Sequence, residues 1–96
     1  MAAERVHVVG ASGRSGAALC RALLGAKRVV VPVVRDPGRW ARTGLAASPR
    51  LADLGDPVAL GAALSDATAV VSCAHARHTA AILAATPAGA RFVLLG

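Results

Sequence analysis

Apolar runs and punctuating glycines, prolines and acids alternate along the chain on a regular beat. Val6-His7-Val8-Val9 is a short β-branched run closed by Gly10, the pattern of a strand. After a Gly/Ser loop, residues 16–24 carry helix formers, with Leu19, Leu23 and Leu24 spaced to cover one helical face and Gly25 where a C-cap belongs. Residues 29–34 form a continuous apolar run, as in a central parallel strand buried on both faces. Pro32 inside that run has no N–H to give a ladder, so a bulge or a lost pair is expected there. Arg35-Asp36-Pro37-Gly38 reads as a turn, residues 39–48 as a short irregular helix holding Trp40, and residues 49–52 as a weak strand. Asp56 and Pro57 supply an N-cap and a first helical residue for a helix ending at Leu64. A strand over 69–73, a helix over 78–85 and a strand over 91–95 complete the pattern.

Strands that alternate with helices imply a parallel sheet joined by right-handed crossovers. The fold expected is therefore α/β, a three-layer doubly wound sheet of about five strands in the order 3-2-1-4-5, filling residues 1–96 as one domain. In such a sheet a ligand binds beyond the carboxyl ends of strands 1 and 4, where the order reverses. Residues 10–16 and 73–75 fall at that point.

Composition narrows the function. The chain has 96 residues, 55% of them hydrophobic and 17% charged, which excludes intrinsic disorder. Its apolar stretches are shorter than the roughly 18–20 residues a membrane span needs. Two cysteines, Cys20 and Cys73, do not make a disulfide framework and suit a reducing cytoplasm. The net charge is +6, from eleven basic residues against five acids. A basic nucleic-acid-binding domain is one reading of that balance. The arginines are scattered, however, and with no Tyr, one Phe and one Trp there is little for bases to stack on. An anionic small ligand accounts for the same positive field.

Gly10-Ala11-Ser12-Gly13-Arg14-Ser15-Gly16 is the sharpest chemical signal, because it follows a strand and opens a helix. Gly10 allows a tight turn, Gly13 lets the backbone approach a pyrophosphate, and Gly16 lets the helix pack closely on the sheet. The free amides of the helix start then face the phosphates. Ser12 stands where the commoner dinucleotide fingerprint has its second glycine. The end of the second strand separates the two dinucleotides: an acid there would take the ribose 2′-OH of NAD, whereas a cation would take the 2′-phosphate of NADP. Arg35 stands there, nineteen residues after Gly16, and Arg14 approaches from the loop. NADP is therefore expected over NAD. Asp36 holds the acidic position only if the strand runs one residue further; its other role is to start the Asp36-Pro37-Gly38 turn.

The Gly10–Gly16 loop, Val34-Arg35-Asp36-Pro37, Ala52-Asp53-Leu54-Gly55-Asp56 and Val70-Val71-Ser72-Cys73-Ala74 together resemble an atypical short-chain dehydrogenase/reductase of the NmrA-like, NAD(P)H-binding group. The resemblance runs through all 96 residues and covers the front half of such a protein, so the domain is expected to be partial, with its substrate-binding half absent. It implies that the loop residues Gly10, Ser12, Gly13, Arg14, Ser15 and Gly16 cradle the pyrophosphate and that Arg35 meets the 2′-phosphate. It further implies that Asp53 and Leu54 border the adenine, while Ala74 and His75 line the nicotinamide ribose. Reductases of this kind protonate their substrate with a Tyr-x-x-x-Lys pair. This chain has no Tyr and its one Lys is Lys27, so catalysis is left unsupported.

Two functions follow from the resemblance: the cofactor half of an NADP-dependent reductase, or a non-catalytic redox sensor acting on a protein partner. The last strand, Phe92–Leu95, is an apolar sheet edge at which a second copy or a complementing polypeptide is expected to dock. Smaller signals are weaker. Cys73, His75 and His78 match no standard zinc spacing, and Cys73 with His75 is not read as a nucleophile–base pair. Cys20 reads as a small buried hydrophobe, His7 as a packed or near-surface histidine, and Trp40 as a cover for either the sheet or the adenine side.

Overall fold

The valine-rich runs make the centre of a five-stranded parallel sheet. The computed structural model of the protein describes residues 4–95. Strands β1 (Arg5–Val9), β2 (Val29–Val34), β3 (Arg50–Leu51), β4 (Ala69–Ser72) and β5 (Arg91–Leu94) lie in the order β3-β2-β1-β4-β5. Helices α1 (Arg14–Gly25), α2 (Pro37–Ala41), α3 (Pro57–Leu64) and α4 (Thr79–Ala85) form the crossovers, with a one-turn 3-10 helix over Ala76–His78 leading into α4. The expected α/β class and strand order are those observed. Strands alternate their side chains between faces, and two cores result. Val6, Val8, Val30, Val34, Cys20 and Trp40 pack on the α1 side, and Val9, Val33, Val70, Leu60, Leu64 and Ile82 on the α3–α4 side.

Pro32 makes neither a bulge nor a gap in β1–β2, where the register is unbroken and Val8 stands opposite Pro32. Gly10 N–H donates to Val33 O, so Val33 directs its backbone toward β1, and Ala52 N–H donates to Val34 O on the β3 side. Alternation then turns the Pro32 nitrogen toward β3. There the ladder pairs only Val33 with Arg50 and Val34 with Leu51. One step further back in the same register, Pro32 would meet Pro49. Pairing at that step would need an N–H from Pro32, which has none, so the ladder stops at Arg50.

The helix boundaries differ in two places from the sequence reading, the first being α2, which Asp36 caps and which runs Pro37–Ala41 where a helix over 39–48 was expected. Asp56 accepts from the Val58 and Ala59 amides, as expected of an N-cap. At the end of α1, however, Gly25 is still helical. The cap falls at Ala26, and Lys27 takes the left-handed conformation at φ +60°. Lys27 N–H donates to Leu24 O and Arg28 N–H to Leu23 O, which closes the helix in the usual two-bond pattern despite a residue less suited to it than glycine.

The amino end of the sheet holds an ionic cluster that sequence patterning does not show. His7 is fully buried on β1, and its Nε2 lies 3.1 Å from Asp66 Oδ1 in the α3–β4 loop. Arg50 reaches from β3 to the same carboxylate, its NH2 at 3.0 Å from Oδ2, and its NH1 donates to Ala63 O at the end of α3. Arg5 contacts Asp66 as well. One carboxylate thus ties β1, β3 and the α3–β4 loop together. The Arg50 guanidinium, with Arg5 and His7, holds the Asp66 carboxyl well below the usual carboxylate range, and burial pushes His7 below its ordinary value of 6.5.

Both shifts have the same consequence in acid. A depressed carboxylate stabilises the fold above its unfolded pKa and loses that contribution as pH falls below about 4. A depressed histidine likewise contributes fully above about 6.5 and less below it. Stability should therefore decline from about pH 6.5 and more steeply below about pH 4. Asp66→Asn should cost about 1–3 kcal/mol at pH 7 by leaving two guanidinium groups without their partner. In urea titrations its deficit against wild type should begin to narrow as the pH is lowered from about 4 to about 3. An unchanged deficit across that range would remove Asp66 ionisation as the cause.

Candidate dinucleotide site

The loop between β1 and α1 is shaped by its glycines. Gly10 has φ +78°, and a Cβ there would sit 3.0 Å from the Ala74 amide nitrogen at the end of β4. At Gly16 a Cβ would press into Gly10 O and come within 2.7 Å of Ala11 Cα. Gly13 is different, since a Cβ there would meet only Gly10 O, at 3.5 Å. Gly16 therefore closes the loop onto the helix, while Gly13 keeps its outer surface bare. Gly13 is also the N-cap of α1 and makes no side-chain capping bond. The first helical amides have no acceptor within the helix. The first turn contains no acid and begins with Arg14, a cation placed against the helix dipole. That arrangement favours an anion at the helix start.

Eight of the sequence-derived residues meet in one open cavity of about 340 Å³ beyond the carboxyl ends of the strands. Gly10, Ser12 and Gly13 form its middle, Arg35, Asp53 and Leu54 one rim, and Ala74 and His75 the other. Arg14, Ser15 and Gly16 do not line it: Arg14 and Ser15 are exposed on α1, and Gly16 is packed beneath the loop. Cys73 lines the cavity, at the crevice where the strand order put it, and so do Arg39, Arg77 and His78, which sequence reading did not place in a dinucleotide site. Arg39 follows Arg35 by four residues, and the short α2 turns it back to the same rim. A helix read from Pro37 rather than from residue 39 would have placed Arg39 in its first turn, close to Arg35.

The match to a family of known proteins fits this geometry. Residues 10–95 match the family model described as NAD(P)H-binding. The chain belongs to the NAD(P)H-binding family. None of the curated proteins compared matches it. Among solved structures, this NAD(P)H-binding domain is similar to an NADPH-dependent quinone oxidoreductase from Escherichia coli complexed with NADPH, at 22% identity and TM-score 0.77, covering 93% of this chain and 35% of that one. It is similar to a short-chain dehydrogenase/reductase superfamily protein from Agrobacterium tumefaciens with bound NAD, at 24% identity and TM-score 0.72, covering 95% and 32%. The anaerobilin reductase ChuY from Escherichia coli O157:H7 aligns at 23% identity and TM-score 0.75, covering 94% and 49%. The chain spans about a third to a half of the length of these neighbours. At these identities the likeness is one of fold.

Several smaller readings are settled by contacts. The NAD(P)H-binding domain ends β2 at Val34, and Asp36 is committed to α2, where its Oδ1 accepts from Gly38 N–H at 2.9 Å. Trp40 is buried against the sheet on the α1 side and donates from Nε1 to Ala47 O, away from the cavity. Burial pushes the Cys20 thiol up to about 11 and raises that of Cys73, so neither is a ready nucleophile. Among the described residues no group of metal-binding side chains assembles, and no helix is long and apolar enough to cross a membrane. Nothing in the comparisons supports nucleic-acid binding.

Proposed function

We propose that the domain binds NADP(H) in preference to NAD(H), as the cofactor-binding half of a reductase of the atypical short-chain type. The pairing of Arg35 and Arg39 at the β2–β3 rim carries this reading. Each of the five acids accepts from another group: Glu4 from Arg28 and Arg91, Asp36 and Asp56 from helix-cap amides, Asp53, on the same rim, from the Gly55 amide, and Asp66 from the cluster at the amino end. Neither rim arginine has a carboxylate partner among the described residues. Two guanidinium groups without counter-ions suit a dianionic 2′-phosphate and have nothing to pair with on the ribose of NAD. The bare Gly13 surface and the amides of Arg14, Ser15 and Gly16 then take the pyrophosphate, Asp53 and Leu54 border the adenine, and Ala74 and His75 face the nicotinamide ribose.

When bound, the dinucleotide supplies or accepts a hydride; the chain itself holds and orients it. With no tyrosine, the chain does not provide the proton relay of the standard reductases. The absence of that relay also keeps open a non-catalytic redox sensor using the same site. The two free cysteines suit a cytoplasmic setting. The unpaired side of β5, where Val93, Leu94 and Leu95 are nearly half exposed, is where a second copy or a complementing polypeptide would add.

The test is a fluorescence titration of the purified chain with NADPH and NADH, followed by a turnover assay. NADPH is expected to bind at least about tenfold more tightly. No NADPH oxidation above a no-protein control is expected with an aldehyde and ketone panel. Equal affinity for the two cofactors would refute the preference, and steady oxidation would refute the division of labour.

A further inference from the structure

The cavity has a second basic rim that the dinucleotide reading leaves unused. Arg77 and His78, on the one-turn helix after β4, line the cavity on the side away from Arg35 and Arg39. Their geometry is organised. The backbone N–H of Arg77 donates to His75 Nδ1 at 3.0 Å, which fixes the turn. The side-chain Nε of Arg77 donates to His78 Nε2 at 3.2 Å. His78 Nε2 is thus an acceptor, and the ring proton sits on Nδ1 as a donor. Arg77 keeps both terminal amino groups free, spaced for the two oxygens of a carboxylate. No acid pairs with Arg77 among the described residues, and Asp53, the one acid lining the cavity, stands at the opposite rim.

With the 2′-phosphate at Arg35 and Arg39, the nicotinamide end of the dinucleotide points to the β4 rim. That end carries no negative group: the ring is neutral when reduced and cationic when oxidised. Arg77 therefore faces the part of the dinucleotide that offers it no counter-ion. We propose that Arg77 and His78 form a carboxylate-binding subsite, so that the second ligand of this cavity is a small organic acid that enters beside the bound dinucleotide. The proposal rests on the cofactor orientation given above and adds the chemical class of the second ligand.

The experiment is calorimetric titration of the NADP+-saturated chain with 1-naphthoate and with 1-naphthylmethanol, its uncharged analogue. Naphthoate should bind more tightly than the alcohol. Arg77→Gln should weaken naphthoate about tenfold or more, leave the alcohol unchanged and move NADPH affinity by less than about twofold. Arg77→Lys, which keeps the charge without the fork, should fall between. Three results would overturn the proposal: equal binding of acid and alcohol, no binding of naphthoate at millimolar concentration, or a loss of NADPH affinity in Arg77→Gln as large as the expected loss of naphthoate. The last would assign the rim to the dinucleotide. A wild-type chain that fails to bind NADPH defeats the cofactor reading instead, and the same titrations on the unloaded chain then still decide whether Arg77 selects the acid.

Discussion

Gly16→Ala should lower the thermal midpoint of the domain by more than about 10 °C, whereas Gly13→Ala should leave it within about 3 °C of wild type. The two positions, the N-cap and the third residue of α1, differ in what a methyl group would meet. At Gly16 it would meet the backbone of Gly10 and Ala11, which cannot move aside without opening the turn between β1 and α1. Overpacking of this kind costs typically 1–3 kcal/mol, and contact with backbone rather than a side-chain end places it toward the upper figure. At Gly13 the nearest atom is at an ordinary contact distance of 3.5 Å. Its methyl group would occupy free space on the loop, where the proposed site has the pyrophosphate approach. Gly13→Ala should therefore retain the fold and lose NADPH affinity, by about tenfold or more. A melt and a binding titration on each variant separate the two roles. If both variants melt like wild type and bind like wild type, the loop is not a phosphate cradle.

Arg35→Ala is expected to weaken NADPH binding by about ten- to a hundredfold and to leave NADH nearly unchanged, since a charge-assisted hydrogen bond contributes about 1.5–3 kcal/mol. Arg39→Ala should act in the same direction, and the double variant should bring the two cofactors to similar affinities. Arg14→Ala should change the preference less, because Arg14 lies outside the cavity lining. Should wild type bind NADH more tightly, with Asp36→Ala the damaging change, the acid and not the arginine would hold the ribose. Its present bond to the Gly38 amide argues for the opposite outcome.

What could be read directly from the chain was what is local. A β-branched run closed by glycine, an aspartate before a proline at a helix start, and glycines at fixed spacing each depend on neighbours a few residues away. The alternation of these elements then determined the strand order. The Asp66 cluster was not legible in this way: its members are separated by up to 61 residues, and only the parallel register brings Arg5, His7 and Arg50 to one carboxylate. His7 looked like an ordinary core position because its partner lies in a loop after α3. Arg39 and Arg77 were missed for a related reason. Each is a surface arginine among ten, and what distinguishes them is the rim to which a one-turn helix delivers them.

The missing N–H of Pro32 has a consequence for assembly. On that flank the ladder stops at Arg50, and the outermost strand is only two residues long. A foreign strand arriving there finds too few donors and acceptors to dock. The other flank, at β5, has an unbroken row of backbone groups and no proline in it. Growth of the sheet is thereby directional: little is offered at the short border and a full row at the other, so an added strand is expected next to β5.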